Sequence, residues 1–176
     1  DGTTPITSPW TQVGSSNIWR TKLSADIWQL FINWEEQVMA RWPNAKFSDD
    51  TIWDNDNYWS KGTIDDDENA YTNGTIIDDP YTNSAGTTID LNATGFDLDE
   101  TNKQAIAILN LGSFKTWSRL VTSHSGNTFN YATVPTWKTK HHYYYLEGRK
   151  EFLDQAGEWW YDCLLYTSDA ADDLLC

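Results

Sequence analysis

The chain has 176 residues, with 26 acidic residues against 12 lysines and arginines and a formal charge of -14. That surplus argues against nucleic acid as a partner, because phosphate binding needs a basic footprint, and no apolar run approaches the roughly eighteen residues of a membrane span. Eleven tryptophans and nine tyrosines beside a single methionine suit a secreted or cell-surface protein that handles polysaccharide, where rings stack on sugar faces, although β-rich cores also use aromatics heavily.

In chain order, the first β signal is NIWRTKL, residues 17–23, where Ile18, Arg20 and Lys22 alternate with Trp19, Thr21 and Leu23 as in a half-exposed strand. WQLFI and QVMARW follow and read as a hairpin joined across residues 33–36, with Pro43 closing the second strand. A helix over residues 25–40 is the rival, but the Ile-Trp-Gln-Leu-Phe-Ile run leaves no apolar stripe at helical spacing.

Residues 49–100 hold fourteen acidic side chains against Lys61 alone. Together with turn formers such as WDNDNYWSKG and DDPYTNSAG, they predict a solvated, loop-rich excursion rather than core. Residues 105–111 are nearly all apolar, as in a strand buried on both faces. Residues 114–121 alternate and are expected to carry Lys115 and Arg119 outward. SHSGN, residues 123–127, makes a turn before Phe129 and Tyr131. HYYYLE is a further strand, a turn or helical step follows through residues 154–157, and EWWYD begins another strand.

The last fourteen residues read differently. CLLYTSDAAD, from Cys163 to Asp172, is what TGT CTC TTA TAC ACA TCT GAC GCT GCC GAC encodes, and those codons resemble a transposase-type sequencing adapter read in frame. Residues 163–176 are therefore expected to be a non-native tail on a truncated chain. Both cysteines, Cys163 and Cys176, lie in it, as do Asp169, Asp172 and Asp173; setting it aside leaves no cysteine and a charge of -11. Residues 1–162 are enough for one domain with a proper core.

The order of QLFIN, MARWPNA, LNLGSFKTWSR and HHYYYLEGRKEFLDQAGEWWYD resembles the N-terminal region of secreted bacterial right-handed parallel β-helix proteins, among them polysaccharide lyases and glycoside hydrolases. The closing Leu-Asp-x-x-Gly-Glu-Trp-Tyr-Asp pattern falls on Leu153, Asp154, Gly157, Glu158, Trp159, Tyr161 and Asp162. The resemblance implies a mainly β, irregular cap region of a solenoid, with residues 49–100 as an excursion from it. It also implies a carbohydrate-active parent protein whose catalytic residues lie in later coils, leaving this part inactive. Trp34 stands where that family has glycine in the hairpin turn, so the turn type is expected to differ. No internal repeat supports the solenoid from the residues themselves. A non-catalytic glycan-binding or adhesion module is the alternative.

Lys115, Arg119, Lys138, Lys140, Arg149 and Lys150 cluster in sequence with His124, His141 and His142. On one face they could hold an anionic polysaccharide and neutralise its carboxylate during elimination; as outward strand positions they would face the acidic loops. His141 and His142 are adjacent in a strand and point to opposite faces, and their spacing does not make a metal site. Arg41 and Trp42, before Pro43 and Asn44, could offer a glycan a planar guanidinium and a ring, or form a structural corner. Arg41, Trp42, Arg119, His141 and His142 are thus the expected substrate-binding residues. Glu147 with Glu151, or Asp154 with Glu158, could serve glycoside hydrolysis. No cofactor is expected, and Asp54, Asp56 and residues 65–68 leave an ordering Ca2+ open, although they do not match an EF-hand loop.

Overall fold

The computed structural model describes residues 3–62, 73–112, 115–135 and 142–162. These described residues form two compact units, one from those between 3 and 28 with 161–162 and the other from those between 29 and 160. Among the described residues strand accounts for 36% and helix for 10%, so the protein is mainly β, as expected, and none of the sheets they form is closed. No helix among the described residues is long and apolar enough to cross a membrane.

In the first unit, β1 (Thr11–Gln12) pairs antiparallel with β2 (Trp19–Arg20). The strand read at residues 17–23 is therefore shorter than expected. Ser16 Oγ donates to the Val13 carbonyl at 2.6 Å and closes the connecting loop. The Tyr161 hydroxyl donates to Asp26 Oδ1 at 2.8 Å, which ties the second segment of this unit to the first.

The second unit begins with the expected hairpin of β3 (Leu30–Ile32) and β4 (Glu35–Met39). Its two-residue turn has Asn33 at φ 53° and Trp34 at φ 72°, the paired left-handed geometry that twists two strands into register. The turn is the common two-residue hairpin type although Trp34 stands where such turns favour glycine, at a cost of about 1 kcal/mol or more for a bulky left-handed residue. β4 leads through Ala40 into β5 (Arg41–Trp42), and this crossing moves the chain from one sheet to another.

A 3-10 turn and a short helix α1 (Asn55–Tyr58) precede β6 (Ser60–Lys61). Next come β7 (Thr75–Ile77), β8 (Tyr81–Thr82), β9 (Thr88–Ile89) and α2 (Leu91–Thr94). The chain closes with β10 (Ile106–Asn110), β11 (Thr116–Ser125), β12 (Thr128–Tyr131), β13 (Tyr143–Glu147), a second 3-10 turn, and β14 (Glu158–Trp159).

The main sheet runs β5-β13-β10-β11-β12-β7, with β6 also on β13. Its pairs are antiparallel. β5 and β6 share one edge of β13: Trp42 and Arg41 pair with Leu146 and Glu147, and Ser60 and Lys61 with Tyr144 and Tyr143. A smaller sheet, β14-β4-β3, holds β14 parallel to β4.

One face of the main sheet builds the core. Ala107, Leu109, Tyr144, Leu146 and Phe129 are fully buried, and each Leu- or Phe-sized side chain removed from water contributes about 1.5–3 kcal/mol. Phe129 stands edge-on to Tyr144 at 5.1 Å, and Phe96 to Phe152 at 4.9 Å.

Residues 49–100 also supply core, contrary to the excursion reading. Ile76, Leu91 and Leu98 are sealed from solvent, and Ser60 and Asp78 are buried with them. β10 departs too: Ala107 and Leu109 are buried, while Ile106 and Ile108 on the other face stay half-exposed.

Gly62 marks a close approach. A β-carbon there would lie 2.8 Å from His142 Cβ and 3.1 Å from Ile76 Cγ2. Gly62→Ala is therefore expected to cost about 1–3 kcal/mol in urea unfolding.

Candidate functional site

The face of the main sheet opposite the core is lined by the alternate residues of β13. Tyr143, Tyr145 and Glu147 point there, whereas Tyr144 and Leu146 point into the core, as a two-residue period requires. The register places Arg41 opposite Glu147 and Lys61 opposite Tyr143 on this face.

Two aromatic groups result. At one end the Arg41 guanidinium lies 3.7 Å from the centre of the Tyr145 ring, and Trp59 meets the same ring edge-on at 4.8 Å. At the other end Lys61 Nζ sits 4.3 Å from the Tyr81 ring and 5.9 Å from Tyr143. The Tyr143 hydroxyl donates to Asp56 Oδ1 at 3.4 Å, and the Tyr81 hydroxyl donates to the Trp59 carbonyl at 2.6 Å. Tyr81, Tyr143 and Lys61 are half-exposed and Asp56 is exposed, whereas the Arg41 of the first group is buried, so this second group is the more accessible one.

Burial sets the protonation of these groups. It pushes Tyr81 and Tyr145 up to about 12, helped by Asp54, Asp56 and Asp78 for the first and by Glu147 for the second. Tyr143 is raised by burial and then by Asp56. The phenols stay neutral at physiological pH and serve as hydrogen-bonding rings, not bases. Burial lowers Arg41 to about 10 against the pull of Tyr145, Glu147 and Glu158, and raises Glu147.

Most of the residues selected from sequence are engaged in structure. Arg41 is only 2% exposed and donates from Nε to the Pro43 carbonyl and from Nη2 to the Tyr58 carbonyl, both at 2.9 Å. The strand crossing at Ala40 buries it, so it forms the corner and offers no open guanidinium. Trp42 packs on the core side against Phe96 and Tyr144. Arg119 is opposite Ala107, hence on the core-side face rather than outward, and donates to the carbonyls of Ala132 and Ser118. His142 is buried and its carbonyl accepts from Gly62 N–H at 2.7 Å. His141, Lys138 and Lys140 lie outside the described residues. Arg149 pairs with Glu100 and Glu151. Arg41 and Arg119 occupy opposite faces of the sheet, so the structure does not join them into one cationic surface.

The carboxylate pairs resolve in the same way. Asp154 Oδ1 accepts from Asn44 Nδ2 at 2.8 Å. Glu158 Oε2 accepts from the amides of Asp154 and Gln155 at 3.2 and 3.1 Å, closing the turn in which Gly157 takes φ 91°. Among the described residues, no three His, Cys, Asp or Glu side chains gather to hold a metal ion; residues 65–68 fall outside that set.

Sequence reasoning did not single out Tyr143, Tyr81, Lys61 or Trp59. The alternation within YYYLE signals the first, but its neighbours come from the acidic segment and only the strand register reveals them. Comparison with protein-family models, curated proteins and solved structures finds no match. Fold and site together define a mainly β chain with an aromatic, charged sheet face.

Proposed function

We propose that this chain recognises carbohydrate, and that it is the N-terminal cap region of a secreted bacterial β-helix protein acting on a complex polysaccharide as a lyase or glycosidase. The observation that carries the binding reading is the pair of half-exposed tyrosines, Tyr81 and Tyr143, around Lys61 and beside Asp56. Neutral rings give a sugar its stacking surface, and the ammonium and carboxylate give its hydroxyls a donor and an acceptor. The parallel pairing of β14 with β4 supports the cap reading, because stacked β-helix coils pair their strands in parallel. Cleavage belongs to later coils in this reading. Binding without turnover is the second reading, favoured by the structural use of the Asp154 and Glu158 carboxylates.

The test is affinity electrophoresis of the 176-residue chain in gels containing mannan, xylan, hydroxyethylcellulose, alginate or polygalacturonate. Retardation by at least one is expected, with Tyr143→Ala and Tyr81→Ala each weakening it about tenfold, the worth of one lost ring contact. Free migration in all five gels, or variants that bind like the parent, would remove the proposal.

A further inference from the structure

The tip of the β3–β4 hairpin combines strain with exposure. Trp34 holds φ 72°, where glycine or asparagine is favoured, and its side chain is 88% exposed. The folded chain therefore bears both an unfavourable backbone conformation and a large apolar ring in water, without packing to offset either. Backbone strain of this kind points toward function when the surroundings give it no structural return. Phe31 and Ile32 on β3 are also exposed, at 44% and 48%, so each face of the hairpin presents one apolar side chain below the tip.

We propose that Trp34 is a second sugar-stacking position and that its ligand is an uncharged polysaccharide. This rests on the carbohydrate reading above and narrows its ligand. Ile32 pairs with Glu35 and Phe31 with Glu36, so the hairpin carries one carboxylate on each face just below its tip, and that of Glu36 accepts from Gln29 Nε2 at 2.8 Å. A uronate, a sulfated glycan or an anionic lipid headgroup meets like charge there, as does the same edge of a second copy of this acidic chain. A neutral pyranose offers an apolar C–H face to the indole and hydroxyls to the glutamates.

The experiment compares the parent chain with Trp34→Gly, Trp34→Phe and Tyr143→Ala in neutral hydroxyethylcellulose, mannan and xylan gels and in anionic alginate and polygalacturonate gels, with urea unfolding and sedimentation equilibrium on each. Trp34→Gly is expected to unfold at higher urea and to bind about tenfold more weakly, whereas Trp34→Phe stays within about threefold of the parent. If Tyr143→Ala loses affinity and Trp34→Gly does not, the hairpin inference fails and the wider reading stands. If the parent binds none of the neutral gels but binds alginate or polygalacturonate, the uncharged ligand is wrong. If it binds no glycan at all, the wider reading fails. A parent dimer dissociated by Trp34→Gly would make the tip a self-association surface and overturn the proposal.

Discussion

Asp78→Ala is expected to lower the unfolding free energy by about 3–5 kcal/mol in urea titration. Asp78 is 1% exposed. Its Oδ1 accepts from Ser60 Oγ at 2.6 Å and from the Tyr144 hydroxyl at 2.5 Å, and its Oδ2 accepts from Leu91 N–H at 2.8 Å. Ser60, Tyr144 and Leu91 are themselves sealed from water, so alanine leaves three donors without an acceptor. Each such loss costs about 1–3 kcal/mol, less than additively once neighbours relax. Asp78→Asn is milder, at about 1–3 kcal/mol, because one carbonyl oxygen survives but an NH2 group can be turned toward Leu91 N–H. Burial raises the Asp78 carboxyl, against its hydrogen bonds from Ser60, Tyr144 and Leu91. A carboxyl raised by folding contributes stability that is complete below the unfolded value and lost as pH rises through the folded one. The deficit of Asp78→Asn should therefore narrow as pH climbs from the unfolded value of 3.8 through the raised folded one. A loss under about 1 kcal/mol for Asp78→Ala would falsify this account of the network.

The same residue shows how far the sequence could be read. The β3–β4 hairpin, β10 to β13 and the closing strand were legible because each has its own local pattern of alternation or an apolar run. The acidic segment was not, since Leu91 and Leu98 are single apolar positions between polar neighbours and Ile76 and Ile77 make only a two-residue apolar step before Asp78. Their burial comes from pairing across long separations, as where Ile76 lies opposite Phe129. Strand phase was harder to read than strand location. Arg119 faces the core side because β11 registers on β10 with Ala107 opposite it, and a one-residue shift in phase exchanges every side chain between faces. The aromatic face had half of its signal in one strand, Tyr143 and Tyr145 two residues apart, and the other half in Lys61, Trp59 and Tyr81. Arg41 looked like a recognition residue because arginine beside tryptophan suits a surface; the turn of the chain at Ala40 makes it a buried brace.

That brace carries the second large effect. Arg41→Met is expected to cost about 3 kcal/mol at pH 7, because the side chain is buried and its loss strips the Pro43 and Tyr58 carbonyls of their donors and removes the positive charge near Glu147 and Glu158. The deficit should also depend on pH. Burial raises Glu147, with Arg41 pulling it back down, and burial raises Glu158 to about 7 against the turn amides of Gln155 and Asp154 and the Arg41 backbone. Both carboxyls favour the folded state in their neutral form, so their contribution is whole below the unfolded value of 4.5 and falls as pH rises through the folded values. Without the guanidinium, Glu147 loses its counter-charge and titrates higher still, which deepens that fall. Solvent access to Glu158 screens its share to about 1 kcal/mol. Urea unfolding at pH 5, 6.5 and 8 should thus show a deficit for Arg41→Met that widens with pH, and Glu147→Gln in the same background should flatten most of the widening. A deficit equal at all three values would place Arg41's contribution in packing and carbonyl capping alone, because those contacts do not titrate in this range while the two carboxyls do.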